Sequence, residues 1–373
     1  MSIDKSKAKI DKVFDKVKEQ GLTFGNHHRK KQLADRTVET YRNVVQAYAN
    51  YLYREHGVYD IARAKPRYAY DFIDKQIKEY KCNDPTVSAY TMRRFAHALH
   101  SFYEASKVTG VFRGNVKVGD KREILKRITA AGIFRKSIDS KTLKASHSDY
   151  AKVQSEILKL RSPNTDVISK IHQTQRYLGA RITEAISLKK SDLTYLDDGS
   201  LLVRIKGKGG LVRFVTTKHK DTICMLENQV MGKKEGAPVF QVKNTYQQDK
   251  SIRHSKKLVE ENIRKAALNA NVDRGGKKYT SHSARKAYAQ YQMDNYCNMT
   301  KHQLKQEVAA KINLDPYLKV KFNTTIKNIR AKVKSEIRTK RRLTHKELCL
   351  WLTSVDLGHG RIDVVRYYAD YHF

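Results

Sequence analysis

The chain is poor in several residue types, and each shortage excludes something. Only four of its 373 residues are cysteine. Cys82, Cys224, Cys297 and Cys349 form no CxxC pair, so neither a disulfide framework nor a zinc ribbon is expected. Buried structural thiols in a reducing cytoplasm are the simpler reading. Proline occurs five times and tryptophan once. No apolar run approaches the ~20 residues needed to cross a bilayer. The most apolar helical stretch is Leu348 to Val355. The first residues, MSIDKSKAKIDK, carry no apolar core and do not read as a secretory signal. Acidic residues are also scarce. Asp and Glu number 38 against 75 Lys and Arg, a formal net charge of +37. An excess of that size points to a polyanionic partner, nucleic acid above all and no membrane.

What is present is a folded chain. Hydrophobic residues make up 40%, and 22 Tyr and 11 Phe are spread along the sequence, which excludes disorder throughout. Residues 1–30 read as an N-terminal helix and a basic loop: the helix over 1–20 has Ile10, Phe14 and Val17 on one face, and the loop carries Gly21, Gly25 and His27–Lys31. Residues 31–111 read as a small helical domain. Its three helices carry stripes at Tyr41/Val44/Val45/Tyr48/Leu52, Tyr70/Ile73/Ile77 and Phe95/Leu99/Phe102/Tyr103. Arg93 and Arg94 lie on other faces and are candidate DNA contacts. Residues 112–147 are polar and basic and read as a linker. A second domain spans 148–373. It holds a β-hairpin, Leu201–Ile205 and Leu211–Thr217, around a Lys206-Gly207-Lys208-Gly209-Gly210 turn. That glycine-rich turn is not a nucleotide phosphate loop, because it joins strands and lacks the Lys-Ser/Thr that would follow.

Three separated stretches carry the chemistry. They are Leu178-Gly179-Ala180-Arg181-Ile182-Thr183-Glu184, then Ser281-His282-Ser283-Ala284-Arg285-Lys286, then Leu357-Gly358-His359-Gly360-Arg361 with Tyr368 nine residues after His359. In order they resemble the catalytic boxes of the tyrosine recombinase, or phage integrase, family. The hairpin lies where that family keeps a lysine, and Lys208 fits the place better than Lys206.

The resemblance implies a mainly α fold with a small β-sheet, in a two-domain clamp. A helical core-binding (SAM-like) domain would precede the tyrosine-recombinase catalytic domain. It implies Tyr368 as nucleophile, with Arg181, Arg285, His282 and His359 around the phosphate, Lys208 as general acid and Glu184 as a supporting residue. Lys206, Lys286 and Arg361 join Arg93 and Arg94 as expected DNA contacts. It also implies double-stranded DNA as partner, a homo-tetramer on two recombination sites, room for accessory DNA-bending proteins, and a cytoplasmic, nucleoid-associated protein. No cofactor and no metal are expected. Type IB topoisomerase, hairpin telomere resolvase and a catalytically idle DNA-binding relative stay open as alternatives.

The residue types suit that chemistry. Cleaving a phosphodiester passes through a state with added negative charge, which fixed cations stabilise more than they stabilise the ground state. Guanidinium forks match phosphate oxygens. A phenol is mostly protonated at neutral pH, with a reference pKa of about 10, so the nucleophile needs activation. Tyr367 and Tyr371 compete with Tyr368. On a helix, Tyr367 and Tyr368 would point about 100° apart.

One departure stands out. Arg285 and His359 are 74 positions apart, far more than the resemblance implies. The extra material, about 298–342, holds thirteen Lys/Arg from Thr300 to Arg342 against Glu307, Asp315 and Glu336. Ile326, Ile329, Val333 and Ile337 recur there at helical spacing. A solvated insertion and a helical extension gripping DNA or a neighbouring protomer are both open. Thr344 and Glu347 form a capping box for the helix that follows. Five residues follow Tyr368, so protomer contacts through a long C-terminal helix are not expected.

Overall fold

The computed structural model of the protein describes residues 3–22, 33–82, 87–134, 140–207, 210–243, 252–331 and 342–371, the side chain of Arg253 excepted. The chain divides into two compact units, Met1–Lys136 and Ser137–Phe373. It is mainly helical with one small antiparallel sheet. Among the described residues, no helix is long and apolar enough to cross a membrane.

The first unit is built from α1 (Ile3–Glu19), α2 (Asp35–His56), α3 (Pro66–Tyr80), α4 (Ala89–Thr109) and α5 (Lys121–Ala130). Each helix buries the stripe its spacing predicts: Ile10, Phe14 and Val17 on α1, Val44, Tyr48 and Leu52 on α2, Phe95, Leu99 and Phe102 on α4. Ser88 caps α4 through the Thr91 N–H. Aromatic pairs cross the core, Phe14–Phe102 at 5.8 Å and Phe72–Phe95 at 5.5 Å between ring centres.

The expected linker at 112–147 is corrected here, because most of it is folded. Phe112, Val116, Val118, Ile124, Ile128 and Ile133 are buried in the first unit's core. Asp120 caps α5, and its N–H donates to Tyr70 Oη at 2.9 Å. Few apolar residues among many lysines disguised the segment, yet nearly all of them point inward. Residues 140–145 belong to the second unit, where Leu143 and Ala145 are buried.

The second unit starts with α6 (His147–Leu158), α7 (Thr165–Leu178) and the single-turn α8 (Ile182–Ile186). Strands β1 (Leu193–Tyr195), β2 (Leu201–Lys206) and β3 (Val212–Thr217) form a sheet in sequence order, with Val203 opposite Val215 and Ile205 opposite Arg213. The predicted hairpin is β2–β3; β1 is too short to announce itself in sequence. Helices α9 (Lys220–Val230), α10 (Ile252–Asn269) and α11 (Ser281–Cys297) follow. α11 packs on α6, α7 and α14 (His345–Asp356), burying Ala284, Ala287, Tyr288 and Met293.

The basic insertion forms α12 (Lys301–Leu314) and α13 (Tyr317–Arg330). It is docked. Leu304, Val308, Leu318 and Ile329 join the second unit's core, and Ile326 packs against it. Val333 and Ile337 lie outside the described residues. Phe322 meets Trp351 edge-on at 4.9 Å, and Trp351 is the chain's one tryptophan. Lys311 forms a 2.5 Å ion pair with buried Asp356, whose other oxygen accepts from Tyr296 Oη at 2.7 Å.

Candidate active site

Each of the three candidate boxes folds at the end of a helix. α7 stops at Gly179, whose backbone is left-handed at φ +58°. A Cβ there would stand 2.4 Å from the Tyr288 ring, so glycine alone lets the chain turn so tightly against α11. Arg181 then opens α8. Glu184, one turn on, accepts the Arg181 N–H at 2.8 Å and Arg181 Nη1 at 2.5 Å. Thr280 caps α11, which carries His282 in its first turn and Arg285 one turn later on the same side. α14 ends before Gly358, and the His359 N–H returns to the Ser354 carbonyl at 2.9 Å. A 3-10 turn at Ile362–Tyr367 delivers Tyr368. The expected α-helical setting of the two tyrosines is therefore corrected to a 3-10 turn and its cap. Tyr368 faces the site, whereas Tyr367 packs with exposed Arg366.

These boxes converge. His359 Nε2 lies 3.1 Å from Tyr368 Oη and 3.4 Å from Arg181 Nη2. The His282 and Tyr368 rings are 5.3 Å apart, and the Arg285 guanidinium sits 5.6 Å from the Tyr368 ring. A guanidinium only donates, so a lone pair on His359 Nε2 suits both neighbours. That tautomer can take the phenol proton.

Glu184 is the hub beneath. Its carboxylate accepts from Arg181 and from Arg213 Nη2 at 2.9 Å, and lies 3.6 Å from Arg285 Nη1. Burial alone would raise this carboxyl; Arg213, then Arg285 and Arg181, overcome that and hold it at about 2. Arg285 is fully buried and donates to the carbonyls of Gly179 and Leu357. Burial, then Arg213 and Arg181, push it down to about 9, still charged at neutral pH. Three guanidiniums thus share one carboxylate. The positive excess of two suits a phosphodiester whose charge grows during reaction.

Arg213 was missed in sequence. It lies on β3 between Val212 and Phe214, with Arg213, Val215 and Thr217 on the buried face. The period-two pattern carried that signal: an arginine in register with inward residues.

The remaining expected residues divide. Lys208 lies outside the described residues. The hairpin turn starts beside the hub, since a Cβ on Gly207 would be 3.3 Å from Glu184 Oε1. Lys206 is exposed at the end of β2. Arg361 is exposed and paired with Asp363 at 2.5 Å. Arg93 is exposed, and half-exposed Arg94 stacks on Tyr90 at 4.6 Å. Lys286 is corrected: it is buried, and donates to the Thr142 carbonyl at 2.8 Å and Ser140 Oγ at 3.2 Å. It tethers the segment before α6 instead of reaching a phosphate. Among the described residues, no group of three or more His, Cys, Asp or Glu could hold a metal ion.

The histidines predict a pH dependence. Burial pushes His172 down to about 3, and burial with the nearby arginines does the same to His282 and His359. Unfolded, each returns to about 6.5. The unfolded chain then binds more protons between those values, so stability is full above about pH 6.5 and falls towards pH 3. Each such histidine adds a slope of about 1.4 kcal/mol per pH unit. Trp351 fluorescence reads the catalytic unit's melting. A falling Tm from pH 6.5 to 4.5, flattened by His359→Gln, is the expected result; a flat wild-type profile contradicts it.

Neither a protein-family model nor a curated protein sequence matches the chain. Solved structures do. The site-specific recombinase XerH bound to a palindromic difH substrate, a post-cleavage complex, aligns over 96% of this chain and 90% of its own at 14% identity, with a TM-score of 0.55. Its pre-cleavage complex aligns over 98% and 81% at 15% identity, with a TM-score of 0.53. Sequence identity that low leaves the fold as the shared property. The chain therefore has the fold of the tyrosine recombinases.

Proposed function

We propose that this protein is a site-specific tyrosine recombinase, a metal-independent DNA strand-transferase acting as the integrase or excisionase of a mobile element. One observation carries the reading. Three stretches far apart in sequence bring Tyr368, His359, His282, Arg181 and Arg285 to one place, with the phenol oxygen 3.1 Å from a neutral imidazole.

The chemistry follows from these groups. Tyr368 Oη attacks the scissile phosphorus as its proton passes to His359 Nε2. The P–Oη bond forms and the P–O5′ bond breaks, leaving a 3′-phosphotyrosine. A proton goes to the 5′-oxygen, supplied by Lys208 on the hairpin. Arg181 and Arg285, with His282 donating beside them, stabilise the added negative charge on the non-bridging oxygens. The new phosphodiester conserves the energy of the old one, so a 5′-hydroxyl can reverse the step without ATP. Two such exchanges on paired duplexes pass through a Holliday junction, within a homo-tetramer on two DNA sites. Accessory DNA-bending proteins and a place at the nucleoid belong to the same reading.

The test is a covalent adduct. Nicked duplexes tiled across the DNA flanking the gene are incubated with the protein in EDTA and run on a denaturing gel. A shifted, protease-sensitive DNA band is expected. Relaxed plasmid without paired sites would turn the reading to a topoisomerase, and hairpin ends to a telomere resolvase. Binding with no adduct on any tile would leave an idle DNA-binding relative.

A further inference from the structure

The catalytic unit has a cleft of about 230 Å³ that runs on from the active site to the insertion. One wall is the hairpin, with Leu211, Val212 and Phe214; the other is α12–α13, with Leu314, Leu318 and Lys321. Arg181, Arg213 and His359 line it as well. The apolar walls are open to solvent, Leu211 at 53% and Leu314 at 46% exposure.

Lys321 is the insertion's charge at this place. Its stem lies on the loop that carries His359: a Cβ on Gly360, itself left-handed at φ +68°, would be 2.8 Å from Lys321 Cδ. Its ammonium stands 5.3 Å from the Tyr317 ring. Among the described residues, no carboxylate pairs with it. Of the other charges on this wall, Lys311 pairs with Asp356, and Asp315, which accepts the Tyr317 N–H at 3.1 Å, keeps its negative charge, outnumbered by Lys321, Arg181 and Arg213 in the same lining. A cationic floor and an unneutralised ammonium favour a polyanion over an apolar peptide.

We propose that this cleft is a second DNA-backbone site, in which Lys321 binds a phosphate neighbouring the scissile one and exposed Leu314 packs against a sugar. The insertion thereby extends the active site, where the sequence allows a solvated insertion or a grip on flanking DNA or a neighbouring protomer. The inference rests on the recombinase reading, because it takes the scissile phosphate to lie at Arg181 and His359.

The test uses the full chain and the flanking tile that binds tightest. Lys321→Gln and Lys321→Met are compared with wild type, and exposed Lys327→Gln on α13 serves as control. Met keeps the stem and removes only the charge. Trp351 fluorescence checks that α13 remains docked. Loss of one phosphate contact should lower the slope of log K against log salt by about 0.9. At saturating DNA, adduct formation should slow about tenfold, as expected when a strand is misplaced at the reacting centre. Lys327→Gln should leave the adduct rate unchanged.

Wild-type slope and adduct rate in both Lys321 variants would overturn the proposal while the recombinase reading stands. A wild-type protein that forms no adduct would sink that reading instead, and the salt slope still decides whether the cleft binds DNA. Unchanged slopes with assembly lost on Leu314→Ser, whose side chain is exposed, would assign the cleft to a protein segment, against the proposal.

Discussion

Tyr368→Phe is expected to abolish the covalent adduct while leaving DNA affinity within about twofold. The substitution removes one oxygen and keeps the ring that packs beside His282, His359 and Arg285. The arginines expected to hold the phosphate are untouched, so binding should persist. Chemistry stops because no other hydroxyl occupies that position; a loss of at least ~10³-fold is expected. Tyr367→Phe should behave as wild type to within about twofold, since its ring packs with Arg366 outside the cluster. Peptide mapping of the wild-type adduct checks the assignment independently. An adduct that survives Tyr368→Phe and disappears in Tyr367→Phe would reverse the two roles.

Glu184→Gln is expected to cost the catalytic unit both stability and activity. The Glu184 side chain is 2% exposed and is the shared counter-charge for Arg181, Arg213 and Arg285. An amide is neutral, and its NH2 would face guanidinium donors. Removing one partner of a buried ion pair costs about 3–5 kcal/mol, which corresponds to a drop in Tm of roughly 10 °C for a unit of this size. The arginines would also lose their fixed geometry, so adduct formation should fall by about 10²-fold or more. Glu184→Asp keeps the charge and shortens the reach, and should lie between wild type and Gln. A Glu184→Gln protein with wild-type melting and wild-type rate would show that the hub orients nothing.

Local order was legible in sequence because backbone periodicity imposes it. Apolar residues three and four apart marked the helices, as with Tyr48 and Leu52, and alternation across a glycine-rich turn marked β2–β3. Box residues could be named individually because the three stretches, in order, resemble the boxes of the tyrosine recombinases. Lys286 shows where proximity in sequence misleads. It is adjacent to Arg285 and was expected on DNA, yet the helix turns it to a different neighbour, the segment at Ser140–Thr142.

By itself, then, the sequence determined the helical character of both units and a charge of +37 that points to a polyanionic partner, and through its resemblance it singled out Arg181, Glu184, His282, Arg285, His359 and Tyr368 as a candidate set. Tertiary structure alone decided which tyrosine faces the imidazole, that Arg213 completes the arginine cluster, that most of 112–134 belongs to a core, and that the basic insertion lines the active-site cleft. The division has one physical cause. Periodicity and capping act over a few residues and are written in neighbouring side chains, whereas the meeting of α7, β3, α11, α13 and the loop after α14 depends on how whole elements pack, which no short stretch encodes.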